Sequence, residues 1–152
     1  MRLTRIVIKG FRCFDCEGVA FDLDSLTCFI GPNASGKTAG LMALVRFFGP
    51  TGAERRILAS DFHLAAGERL DDQEKRYLTI EVRIDLPELE ADYKGPVTAV
   101  PETFRQMIAA ATGERPFLRL RLQAIRTADA TVEGAIETTC AWLLTTSDEE
   151  SE

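Results

Sequence analysis

Gly31-Pro-Asn-Ala-Ser-Gly-Lys-Thr38, GPNASGKT, satisfies the pattern G-x-x-x-x-G-K-[ST], in which a glycine-rich backbone curls around phosphate oxygens and a lysine and a hydroxyl complete the grip. The string is short enough to arise by chance, so its flanks decide its meaning. Upstream, Leu26-Thr-Cys-Phe-Ile30 is a continuous apolar run, the pattern of a strand buried on both faces. Downstream, from Lys37 to Phe48, residues Leu41, Leu44, Val45 and Phe48 recur at helical spacing before Gly49-Pro50, which reads as an amphipathic helix with a glycine-proline stop. Strand, phosphate loop and helix in that order predict an α/β arrangement built to hold a phosphate chain.

Working outward, Arg2 to Lys9 is rich in β-branched residues and halts at Gly10, and Val19 to Leu23 alternates; both read as strands. Thr51 to Arg56 and Asp71 to Glu74 read as loops around Ser60-Asp-Phe-His63. Three long extended segments follow. Tyr77 to Leu86 sets Leu78, Ile80, Val82, Ile84 and Leu86 against Thr79, Glu81, Arg83 and Asp85; Phe117 to Arg126 sets Leu118, Leu120 and Leu122 against Arg119, Arg121 and Gln123; Ala135 to Thr145 is the third. Such alternation predicts an antiparallel sheet with one wet face, on which the arginines and Gln123 are solvated. Pro101 to Thr112 reads as a helix, with proline in its first turn and Gly113 after its end. We expect one domain over residues 1–146, and a frayed acidic tail over 147–152.

The bulk numbers narrow the classes. With 152 residues and 45% hydrophobic content the chain supports one genuine core. No apolar run approaches the roughly 20 residues of a membrane span, and the N-terminus lacks a secretory signal pattern, so a cytoplasmic location is expected. The net charge of −6 is uneven: residues 1–60 carry eight Lys or Arg against five Asp or Glu, and 61–152 carry ten against nineteen. An acidic second half is a poor surface for a DNA backbone, whose binding rests on phosphate neutralisation. Cysteines 13, 16, 28 and 140, with a single histidine, do not assemble a zinc-ligand set and are expected as small, partly buried thiols.

The loop's chemistry follows from its residues. Gly31, Pro32, Asn33, Ala34, Ser35 and Gly36 supply the cradle, whose converging N–H groups and helix N-terminus attract phosphate. Lys37 would reach the outer phosphates, and the Thr38 hydroxyl would hold Mg²⁺. Hydrolysis needs a second carboxylate on the metal, usually an Asp after a buried apolar strand. No run of four apolar residues ending in Asp occurs after residue 38; Asp85 sits in an alternating strand and Asp148 follows hydroxyls. A stand-alone kinase or GTPase would also need a lid arginine cluster or an N-K-x-D string, and neither is present.

Leu3-x-x-Ile6-x-Ile8-x-Gly10-Phe11-Arg12, with Leu26-Thr-x-x-Ile30-Gly31-Pro-Asn33-Ala-Ser-Gly36-Lys37-Thr38 about twenty residues on, resembles the opening of the ABC-type P-loop ATPases of the SMC, RecF and OLD group. Gly10, Ala34 and Thr38 stand where that group usually has Asn, Gly and Ser. Ala34 removes some backbone freedom from the loop. The segments Ala43 to Phe48, Arg55 to His63 and Leu78 to Leu89 look most like the OLD family of ATPase-nucleases. The resemblance covers nearly the whole chain, with sharp motifs only in the first 40 residues. It implies the N-terminal portion of an ABC-type head, with the later strands as its antiparallel β-lobe. It also implies ATP and Mg²⁺ as ligands, Arg12 close to the nucleotide, and a second ATPase head as partner in a homodimer or larger assembly. DNA would be met mostly through regions outside these residues, where family members carry a signature motif, the metal-binding aspartate and a Toprim nuclease domain. A RecF- or SMC-like DNA repair protein without nuclease activity is the alternative. Asp61 and His63 read as local cap or loop residues.

Overall fold

The computed structural model describes residues 1–90, 104, 106–109, 115–131 and 133–144. Its strands are β1 (Arg2–Lys9), β2 (Val19–Asp22), β3 (Lys75–Asp85), β4 (Ile108–Ala109), β5 (Phe117–Thr127) and β6 (Ala135–Trp142); its helices are α1 (Lys37–Phe48) and the short α2 (Gly52–Arg55). The strands form one antiparallel sheet in the order β2-β1-β3-β5-β4, with β6 also paired to β5. The phosphate loop and α1 are inserted between β2 and β3.

Register explains the core. Ile8 faces Ile80, which faces Leu122, and in the next row on that face Ile6 faces Val82. With a side-chain period of two, these residues share one face, and Ile6, Ile8, Leu78, Ile80 and Val82 are all at most 1% exposed. Phe11, Ala43 of α1, Ile57 and Phe62 close over them in one cluster. Each such side chain contributes about 1.5–3 kcal/mol when fully buried. A smaller cluster forms around Leu86 and Leu118.

The opposite face is less wet than alternation predicts. Arg119 is buried, its guanidinium on Glu81, and Arg121 Nε donates to the other oxygen of the same carboxylate at 2.9 Å. Arg126 falls on the core face, fully buried: its guanidinium donates to the carbonyl oxygens of Glu133 and Leu70 and to Asp71. Opposite it in register, Arg76 is buried too and holds the carbonyl oxygens of His63, Arg69 and Leu70. Two arginines at one end of the sheet thus staple the segment 63–71 to it. An alternation count cannot see this, because it scores arginine as solvent-facing and ignores five donors that loop carbonyls can occupy. Gln123 is exposed, as expected.

Leu26 to Ile30 departs most from expectation. The segment is irregular, and Leu26 and Ile30 are 83% and 93% exposed. A strand needs neighbours for its N–H and C=O groups, and none of the described strands lies beside it. Helix α1 has the expected span, but Leu41, Val45 and Phe48 are exposed, and its buried face is Ala39, Gly40, Ala43 and Arg46. Thr51 to Arg56 includes helix α2, closed by a capping box between Thr51 and Glu54 rather than an open loop. Hydrogen bonds from the Thr51 hydroxyl and backbone hold the Glu54 carboxyl below its ordinary pKa. All four cysteines are exposed rather than partly buried. The helix expected over 101–112 lies mostly outside the described residues, and within it Ile108–Ala109 is a strand on β5; the acidic tail 147–152 also lies outside them. Among the described residues no helix is long and apolar enough to cross a membrane.

Candidate nucleotide-binding site

The site is built where β1 ends. Gly10 turns the chain with φ +64°, and a Cβ there would lie 2.1 Å from the Tyr77 carbonyl oxygen, so only glycine lets β1 pass β3 this closely. Two residues on, Arg12 also takes a left-handed conformation, φ 52°, uncommon for a residue with a side chain. Its backbone N–H donates to the Asp61 carbonyl oxygen at 2.8 Å, and its own carbonyl accepts from His63 Nδ1 at 2.7 Å. That acceptor fixes the imidazole tautomer with its proton on Nδ1.

The phosphate loop meets this turn from the other side. Arg12, Cys13, Asn33, Ala34, Ser35, Gly36, Lys37, Thr38 and Ala39 line a cleft of about 370 Å³. Gly36 caps α1 with φ 87° and no side-chain hydrogen bond, so the first N–H groups of the helix have no acceptor within it and face the loop. A Cβ at Gly36 would come within 3.0 Å of the Phe14 ring and 3.1 Å of Cys13 Sγ. Gly31 and Pro32 are not among the residues lining the cleft; their carbonyl oxygens accept from Lys37 Nζ at 2.7 and 2.5 Å. Ala34 has φ 66°, so the position usually held by glycine keeps glycine's conformation at a steric cost. This loop, leading into the N-terminus of α1 with Lys37 beside it, fits a phosphate chain. Thr38 would supply one oxygen to magnesium, which takes its remaining ligands readily from phosphate and water. Among the described residues no group of three or more His, Cys, Asp or Glu could hold a metal.

Asp61 and His63 do more than cap a local turn. The Asp61 carboxylate is fully buried and takes four donors: Arg12 Nε and Nη2 on Oδ1 at 3.0 and 2.8 Å, Arg46 Nε on Oδ2 at 2.7 Å, and the Leu58 N–H on Oδ2 at 3.1 Å. The one available sequence signal was an acid set between apolar Ile57, Leu58 and Phe62, which must find donors if it is buried. A larger cleft of about 420 Å³ lies between Gly52–Leu58 and β6. It takes in Gly52 at the start of the one-turn helix α2, with Arg55 and Arg56, but no glycine-rich loop leads into a long helix there, so the smaller cleft is the better fit for phosphate.

Residues 1–114 match the family described as the AAA ATPase domain. A solved structure, from work on ATP-driven dimerization and DNA-stimulated activation of SMC ATPases, resembles this chain with a TM-score of 0.50 at 14% sequence identity; the match covers 92% of this chain and 69% of that one. The likeness agrees with the fold above: the N-terminal portion of an ABC-type P-loop ATPase head, with its antiparallel β-lobe. The family match takes in the phosphate loop, α1, the Asp61 cluster and the first long strand of that lobe, and the chain belongs to the AAA ATPase domain family.

Proposed function

We propose that this chain binds ATP with Mg²⁺ as one half of an ABC-type site, through Gly31 to Thr38 and Arg12, in the N-terminal segment of an OLD-type ATPase-nuclease. The observation that carries the reading is that Arg12, the loop residues Asn33 to Gly36 and the first residues of α1, Lys37 and Thr38 among them, line one cleft. Residues 1–146 act as the ATP-binding unit and 147–152 as an appended acidic tail. A second head, contributing its signature loop, would close the front of the cleft and complete the chemistry.

Supporting the half-site is the lining of the cleft itself. No carboxylate among the residues lining the cleft stands ready to share a metal with Thr38. The chain alone should therefore bind ATP and release no phosphate above the uncatalysed background, at any protein concentration. A phosphate-release assay tests this; monomer turnover on the order of 1 s⁻¹, ordinary for an enzyme, would overturn it. A RecF- or SMC-like repair protein shares this half-site and differs only in what accompanies it. Toprim-type carboxylates encoded 3′ of codon 152 would favour the nuclease, and their lack the repair protein.

A further inference from the structure

We propose that Asp61 is a positioning residue of the nucleotide site: its buried carboxylate holds the Arg12 guanidinium at the rim of the phosphate cleft and locks it, through Arg46, to the helix that begins in the phosphate loop. The inference rests on the reading that the cleft binds nucleotide.

The geometry is more elaborate than a structural ion pair requires. Arg46, buried in α1, holds Asp61 Oδ2 while its Nη1 donates to the Glu54 carbonyl oxygen at 2.8 Å, and the pair closes α1 against the turn that follows it; Oδ1 is left to Arg12. Arg12 is a third member, and it joins at a cost. Its backbone is held in the left-handed region, which persists only where the surroundings over-determine it. Here they do, since the Asp61 carbonyl, the His63 ring and both Asp61 contacts converge on this residue. Its side chain nevertheless stays 31% exposed, whereas the Asp61 and Arg46 side chains are at 0% and 8%. The strained, exposed member is the one on the cleft wall.

Charge points the same way. One carboxylate shared by two guanidinium groups leaves a net positive charge, and its exposed member, Arg12, lines the same cleft as Lys37. A one-to-one pair of Arg12 with Asp61 would have cancelled that charge. Sharing with Arg46 lets Asp61 orient Arg12 without neutralising it. Because Arg46 and Lys37 lie on the same helix, the two cations that would face the phosphates are referenced to one rigid element.

The test is calorimetric titration of the 152-residue chain with ATP and Mg²⁺, with the fold of each variant checked by circular dichroism. Arg12→Ala should weaken binding roughly 5- to 20-fold, the scale of one charge-assisted contact. Arg12→Lys keeps the charge but loses the planar fork onto Asp61 and should weaken it nearly as much. Asp61→Asn should weaken binding by a similar factor in the wild-type background and by less than about twofold in the Arg12→Ala background, the non-additivity of residues acting as a unit. Wild-type affinity in Arg12→Lys, or an equal Asp61→Asn effect in both backgrounds, would overturn the proposal. If Asp61→Asn does not fold, Arg12→Lys decides alone. Lys37→Ala separates the two claims: undiminished binding there removes the nucleotide reading itself, whatever Arg12 and Asp61 do.

Discussion

Ala34 sits where the backbone asks for glycine. At φ 66° an L-residue with a Cβ pays about 1–2 kcal/mol over the right-handed region, and glycine returns part of this as entropy in the unfolded chain. Ala34→Gly should therefore stabilise the chain by roughly 0.5–1 kcal/mol, about 1–4 °C in melting temperature for a domain of this size. A melting temperature lowered by the change would mean that the loop does not hold this conformation. The departure of Ala34 from the usual glycine was legible in the sequence, and so were the identities of Lys37 and Thr38. The role of Asp61 was not. It lies 49 residues from Arg12 and 15 from Arg46, and only the return of the chain after α1 brings them together.

Elements were legible where the local pattern and the required neighbours agreed. β1, β3 and β5 alternate over eight to eleven residues, and each finds its partners within the chain. Leu26 to Ile30 is as apolar as any of them but has no adjacent strand among the described residues; hydrophobicity marks what gains from burial, not whether a partner is present. The same holds for Leu41, Val45 and Phe48 of α1, whose small buried side chains, Ala39, Gly40 and Ala43, let the helix lie close on the core. A stability contrast follows. Ile80→Ala, at a fully buried site, should cost about 2–5 kcal/mol in urea unfolding. Leu26→Ala, at a residue 83% exposed, should stay within about 0.5 kcal/mol. A comparable loss at Leu26 would place that segment in the core after all.

At the scale of the whole molecule, the sheet gives a rigid frame, and the site lies on the two connections that leave it: the turn after β1 and the loop before α1. The staple of Arg76 and Arg126 and the Asp61 cluster bind the segment after α1 back onto the same frame, so Arg12 and Lys37 face one cleft from separate stretches of chain. Everything proposed for function depends on that cleft holding a nucleotide. The direct measurement is isothermal titration of ATP with Mg²⁺ into the wild-type chain and into Lys37→Ala. Loss of the Lys37 ammonium should weaken binding on the order of 10- to 100-fold, the worth of a charge-assisted phosphate contact. Equal affinity in the two proteins would contradict the assignment of the site.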